Sequence, residues 1–202
     1  MHIPHSFRFQ DQQEKIAFIR QHSFASIITN IGGIPTATML PFAIDDDRGR
    51  VVLRSHFSAA NKQAEHIEDG ISLIIFNGPH AYISPVHYNQ YESVPTWNYI
   101  AVHALGKARI LQDDASKKMM LEQMIASYES SYQKQWDSFP EKFIAGMMKG
   151  IVAFEIELTS LEGQQKLSQN KTMEERSRII ASLESSRNAA ERELATYMQN
   201  HK

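Results

Sequence analysis

The run Leu53-Arg54-Ser55-His56-Phe57-Ser58-Ala59-Ala60-Asn61-Lys62 gathers two cations, two hydroxyls, an imidazole and an amide. Its pattern is a strand leaving into a loop and then a helix start. Free backbone N–H groups, hydroxyls and Lys62 together can receive a phosphate. A plain capped helix on a solvated corner uses the same residue types. Upstream, Ala37-Thr38-Met39-Leu40-Pro41 reads as strand, and exposed backbone beside Pro41 can hydrogen-bond the edge of a planar heterocycle. An ordinary sheet edge accounts for it equally, because proline favours edges.

Two further segments carry chemistry-bearing side chains. From His80 to His103 the chain holds Tyr82, Tyr88, Tyr91, Trp97 and Tyr99 with histidines at 80, 87 and 103. Three imidazoles can ligate zinc, but this spacing has no tight pair and no HExxH. The segment suits aromatic packing or a slot for a flat ligand. Lys166-Leu167-Ser168-Gln169-Asn170 clusters donors and acceptors before the carboxy-terminal segment, as a polar loop or a functional one. No GxGxxG, Walker loop or GxSxG is present.

Composition narrows the chemistry further. The chain has 202 residues and no cysteine, which excludes disulfides, thiolate metal sites, iron–sulfur clusters and thiol nucleophiles. Lys and Arg total 21 against 23 Asp and Glu, a formal charge of −2. That balance opposes broad attraction to nucleic acid or anionic membrane. In the tail, Arg176, Arg178, Arg187 and Arg192 are offset by Glu174, Glu175, Glu184, Glu191 and Glu193, so a solvated docking helix outweighs a DNA reader. No run reaches the roughly 18 apolar residues of a membrane span. Met1 to His5 has no signal-peptide pattern, so a cytoplasmic protein is expected.

The elements that must position these groups follow from periodicity. Asp11 to His22 reads as a helix with Asp11 and Glu14 as a capping pair. Phe24 to Ile31 and Ile34 to Ile44 read as a hairpin across Gly32-Gly33. Asp45 to Gly49, including Arg48, reads as a turn, and Arg50 to Ser55 as a third strand. Ser58 to Ile67 is expected to be a short helix. Ile71 to Asn77 and His80 to Ser84 are expected to be separate strands broken at Gly78-Pro79. Thr96 to Leu111 is a long strand. Asp113 to Tyr132 and a second segment opened by Ser138-Phe139-Pro140-Glu141 are helical, the latter burying Phe143, Ile144, Met147 and Met148. Ile151 to Leu161 alternates as a last strand. Thr172 and Glu175 form a capping box at the start of a helical tail, with Met173, Ile179, Ile180 and Leu183 on one face.

Strands and helices do not alternate regularly, so the expected class is mainly β with added helices: an antiparallel barrel, peripheral helices and a docked helical tail. The expected division is a barrel over residues 1–165 and a tail over 166–202.

Several strings carry a resemblance: Met1 to Phe7, Gly78-Pro79-His80-Ala81-Tyr82-Ile83-Ser84-Pro85, Val94-Pro95-Thr96-Trp97-Asn98-Tyr99 with Ala101-Val102-His103, and Lys166 to Asn170. With these the chain resembles the PaiB-type regulators, the FMN-binding negative transcriptional regulators. The resemblance is nearly full-length. It implies a split β-barrel like that of pyridoxamine-phosphate oxidases and flavin reductases, a homodimer with flavin sites at the subunit interface, and repression of protease synthesis and sporulation. It also implies residues. Arg54, Ser55, His56, Asn61 and Lys62 are similar in place to the loop that binds flavin phosphate. Thr38, Met39, Leu40 and Pro41 resemble the strand beside the isoalloxazine ring, where the oxidases carry an Arg and a Lys and this chain has Thr38 and an uncharged residue. Asn98 is similar in place to a Gln contacting the ring, and Gln169 would approach from the partner chain. The resemblance leaves a second function open, a flavin-dependent oxidoreductase, and a third, direct DNA binding. No catalytic side chain and no metal ligand stand out.

Overall fold

The structure is a computed structural model that describes residues 1–47 and 49–201. Of the expected Asp45–Gly49 turn, Arg48 lies outside the described residues. Seven strands pair in the order β2-β1-β5-β6-β7-β4-β3: β1 Phe24–Ile31, β2 Ile34–Pro41, β3 Ala43–Asp47, β4 Arg50–Ser58, β5 Ile71–Ile83, β6 Thr96–Ile110 and β7 Ile151–Lys166. Helices are α1 Gln12–Gln21, α2 Asp114–Tyr128, α3 Gln133–Asp137, α4 Glu141–Met148, α5 Met173–Glu184 and α6 Ala189–Asn200. The fold divides into two compact units.

The larger unit comprises residues 16–76 and 103–161. Gly32 and Gly33 take φ values of 59° and 89°, as the two-residue β1–β2 turn requires, and Asn30 Oδ1 accepts the Gly33 N–H at 2.7 Å. β2 is an edge strand, yet it packs against β4, so the sheet turns back on itself. The interior holds Phe42, Phe57, Phe76 and Phe154, with Phe57 stacked on Phe154 at 5.0 Å and Phe42 edge-on to Phe76 at 5.8 Å. Outside β3 and β7, α2 buries Met120 and Met124 against Ala43 and Ala153. Trp136, Ile144 and Met148 form a neighbouring cluster.

The smaller unit comprises residues 1–15, 77–102 and 162–202. The Phe9 N–H donates to the Gly163 carbonyl at 3.0 Å. α5 starts with the Thr172–Glu175 capping box in full. Arg176 ties α5 to α6 by donating to the Met198 and His201 carbonyls at 2.9 and 2.7 Å.

Several local expectations need correction. The strand from Ile34 stops at Pro41, because Phe42 leaves the ladder: its N–H donates to the Ser23 carbonyl at 2.9 Å and its carbonyl accepts the Tyr128 hydroxyl at 3.2 Å. Asp45, Asp46 and Asp47 then lie on β3, paired with Val52, Val51 and Arg50, rather than in a turn. Gly78-Pro79 does not break β5, since proline's fixed φ is compatible with extended backbone. Ser58 to Ile67 is not an α-helix. β4 runs on to Ser58, and only Lys62–His66 coils, as a 3₁₀ turn.

The helices also differ in detail. The first long helix ends at Tyr128, whose hydroxyl is engaged by Ser23 and Phe42. Ser138 does not cap α4, because its hydroxyl donates to the Gln135 carbonyl at 2.7 Å. On α4 only Ile144 and Met148 are buried. Phe143 and Met147 are 49% and 57% exposed, because the buried stripe is a single i, i+4 pair. Met173 is 87% exposed at the first turn of α5, while Ile179 and Leu183 are buried.

β6 and β7 approach too closely at Gly106 for any side chain. A Cβ there would lie 2.3 Å from the Glu157 carbonyl oxygen and 2.5 Å from Ile156 Cγ2. Gly106→Ala is therefore expected to destabilise the protein by about 1–3 kcal/mol or more. The check is a lower urea midpoint with an unchanged denaturant slope.

Candidate functional site

The segment singled out by its chemistry lies where β4 runs out beside β2. Ser55 is fully buried, and its hydroxyl donates to the Pro41 carbonyl at 2.6 Å. That bond fastens β4 to the end of β2. One turn further, Asn61 caps the 3₁₀ turn by accepting the Gln63 N–H at 2.9 Å, and its Nδ2 donates to Thr38 Oγ1 at 3.0 Å. The Thr38 hydroxyl donates to Gln63 Oε1 at 2.7 Å. Gln63 Nε2 in turn donates to the carbonyls of Ile27 and Thr36 at 3.2 and 3.1 Å.

Thr38, Asn61 and the buried Gln63 thus form one partly buried clamp that sets the loop against β2. Sequence reading missed Gln63. The one signal available was a polar residue two places after a capping Asn. On β2, Met39 is half exposed with its sulfur accepting the Ser26 hydroxyl at 2.8 Å, and Leu40 is buried. Lys62 is exposed and has no side-chain partner among the described residues.

Arg54 is committed elsewhere. Its guanidinium donates to Asp45 at 2.9 Å, Gln123 at 3.1 Å and Glu155 at 3.3 Å. Arg109 holds the other Glu155 oxygen at 2.7 Å. Burial pushes the Glu155 carboxyl up. The hydrogen bond and charge of Arg109, followed by Arg54, outweigh burial and hold it below its ordinary value. His56 lies on the same face of β4, since Arg54 pairs with Glu155 and His56 with Ala153. Burial lowers its pKa and favours the neutral ring, and its Nδ1 is enclosed without a hydrogen-bond partner.

Asn98 and Gln169 belong to the smaller unit. Asn98 is fully buried on β6. Its Nδ2 donates to Ser168 Oγ at 2.9 Å and contacts the Met198 sulfur at 3.6 Å. Gln169 Oε1 accepts the Leu167 N–H at 2.7 Å, and its Nε2 donates to the Gln165 carbonyl at 2.6 Å. Both amides therefore brace the turn after β7. Ser168 sits there at φ 57°, a left-handed conformation that costs energy for a residue with a side chain. Lys166 donates to the Thr96 hydroxyl and lies over the Phe7 ring. Of the aromatic segment, Tyr82 and Trp97 are half exposed and meet edge to face at 6.1 Å, with the His80 ring 6.0 Å from Trp97. The His87 carbonyl accepts Arg178 Nε at 2.9 Å.

Residues 1–160 match the family described as "Putative FMN-binding domain". The chain is also 34% identical to "Protease synthase and sporulation protein PAI 2" of Bacillus subtilis over 206 aligned positions, covering 99% of this chain and 97% of that protein. The chain belongs to the PaiB family of FMN-binding-domain proteins. Among solved structures it resembles the flavocytochrome Anf3 of Azotobacter vinelandii, with a TM-score of 0.65, 16% identity, 81% of this chain and 72% of that one covered. It also resembles the FAD and haem binding protein of Mycobacterium smegmatis, with a TM-score of 0.62, 11% identity, and 85% and 78% covered. These likenesses show the fold, a split β-barrel, to which this chain adds α5 and α6 as a helical tail.

For a PaiB-type chain the natural question is whether the loop suits a flavin phosphate. Lys62 supplies an uncommitted cation, and β2 beside it presents a partly exposed strand. Arg54, Ser55 and Thr38 have their polar groups spent within the protein. Lys62 and exposed backbone are therefore what this segment keeps free for an anion, whereas Arg54 is engaged.

The Arg54–Glu155–Arg109 cluster makes a pH prediction. The Glu155 pKa is held below the ordinary 4.5, so its contribution to stability is present above that value. It is lost as pH falls through the lower, folded value. Glu155→Gln should lower the urea midpoint near neutral pH, and the gap to the parent should close as the pH falls below the ordinary carboxylate range. An equal gap at both ends would mean that the charge is not what stabilises.

Proposed function

We propose that this protein binds FMN as a homodimer and acts as a cytoplasmic negative regulator of the PaiB type, controlling protease production and sporulation. The observation that carries the proposal is Lys62: an exposed, unpaired cation on a loop pinned to β2 by the Thr38–Asn61–Gln63 clamp, in a chain of the FMN-binding-domain family. FMN when bound would supply redox chemistry that a cysteine-free chain lacks. Lys62 would hold its phosphate, and the backbone of Thr38, Met39, Leu40 and Pro41 would flank its ring. Asn61 and Gln63 position that loop. Residues 166–202 serve as a docked tail, supported by the bonds from α5 to His87 and Asn89. Among the described residues no helix is long and apolar enough to cross a membrane.

One observation favours a second reading, that regulation is indirect and the protein is a flavin-dependent oxidoreductase. Three of the four tail arginines are spent internally. Arg176 binds the Met198 and His201 carbonyls, Arg178 binds His87, Asn89 and Glu174, and Arg192 binds the Ser186 carbonyl. Such a tail has fewer guanidinium donors free to grip DNA phosphates, and the Arg178 charge is also paired with Glu174. A flavin bleached by NAD(P)H would support the enzyme, whereas a salt-sensitive gel shift with an inert flavin would support the direct regulator.

Flavin titration, followed by fluorescence quenching, tests the cofactor. FMN is expected to bind in the micromolar range, and Lys62→Ala to weaken it about tenfold, the worth of one charge-assisted contact. Absence of binding at tens of micromolar would overturn the reading.

A further inference from the structure

A phosphate monoester is close to a dianion near neutral pH, and one lysine answers only half of its charge. The other side chains that the family resemblance places around the phosphate do not make up the difference. Arg54 is held by Asp45, Gln123 and Glu155, and drawing it out would strand those partners. Ser55 and Thr38 have their hydroxyls engaged, and His56 is kept neutral by burial.

The loop is tied to one further cation. The Ala59 N–H donates to the Gly150 carbonyl at 2.8 Å, and Ser58 stands opposite Ile151 in the β4–β7 ladder. These bonds fix the turn between α4 and β7 against the Ser58–Lys62 loop. That turn carries Lys149, whose side chain is exposed and has no partner among the described residues. Its backbone is anchored, since the Lys149 N–H donates to the Ala145 carbonyl at 3.3 Å and the Gly150 N–H to the Met147 carbonyl at 3.0 Å. Two uncommitted ammonium groups thus stand on two segments joined by a backbone hydrogen bond. Lysine suits this task, because its long stem lets the charge reach a ligand from a fixed turn.

We infer that Lys149, on the turn after α4, is a second phosphate-binding side chain that works with Lys62 and takes the role Arg54 cannot fill. The inference rests on the flavin reading above and names the ligand class more narrowly: a flavin carrying a terminal phosphate monoester. It also gives the α2–α4 insertion a function, since α4 sets where Lys149 stands.

The experiment compares FMN with riboflavin, which has the same ring and no phosphate, on the full-length protein. Lys149→Ala and Lys62→Ala should each weaken FMN about tenfold and leave riboflavin unchanged, while Arg54→Gln should leave the FMN-to-riboflavin ratio where it was. Unchanged FMN affinity in Lys149→Ala overturns the inference, as does a ratio that falls only in Arg54→Gln. A second readout does not depend on the flavin. Titrating inorganic phosphate should shift the backbone amide NMR signals of Lys62 and Lys149 together. If neither flavin binds while these amides respond, the flavin reading fails and the two-lysine anion site stands. If phosphate moves Lys62 alone, the inference fails whatever the flavin does.

Discussion

The buried amide of Gln63 is the interaction on which the rest of the site depends. Its Nε2 holds carbonyls of β1 and β2, and its Oε1 takes the Thr38 hydroxyl. A buried amide left short of partners costs about 1–3 kcal/mol, so this one fixes its surroundings strongly. Because Gln63 follows Lys62 directly, anchoring the amide anchors the cation's backbone. The neighbouring Ser55–Pro41 bond fixes β4 against the same strand. The loop is therefore held from β2 on one side and from the α4–β7 turn on another, through Ala59. The backbone that carries the charge therefore has little freedom left to lose on meeting a ligand, and the cost of ordering falls on the flexible Lys62 stem.

Arg54 shows the opposite use of a charge. It sits within the most chemistry-rich stretch of the chain, yet the fold spends it on Asp45, Gln123 and Glu155. A partly buried guanidinium needs acceptors on several sides, and its planar fork supplies enough donors to link β3, β4, β7 and α2 at once. Its contribution is to hold the helical insertion on the sheet. That insertion in turn carries the turn with Gly150, so the ion cluster acts on the loop only through structure.

How far the sequence reaches follows from which partners are local. Capping pairs such as Asp11 with Glu14 and Thr172 with Glu175 are three residues apart, and spacing alone identifies them. The β1–β2 hairpin is legible from its two glycines. Periodicity with composition leads to a mainly antiparallel β protein with added helices, and the motif strings lead to the split barrel. The misses have the opposite character. Phe42 leaves its strand because Ser23 and Tyr128 take its backbone groups, the latter 86 residues away. Glu155 binds Arg54 across 101 residues, and no spacing rule points to it. Ser168 engages the Asn98 amide in a buried pair from 70 residues on, a partner that no spacing rule points to. Residue type reveals what a side chain can do, and tertiary partners decide whether it is free to do it.

The same logic bears on how a protein of this composition could be both a flavin binder and a regulator. With no cysteine, it has no thiol through which to sense redox state. With a formal charge of −2 and tail arginines interspersed with glutamates, it has little electrostatic reach towards nucleic acid. In the flavin reading proposed above, both limits move the burden to the Lys62 loop. A phosphate there would neutralise surface cations and lower the net charge further, which makes a cofactor-loaded form still less suited to DNA. If FMN fills that loop as proposed above, the loaded form has less positive charge to offer a polyanion than the bare form.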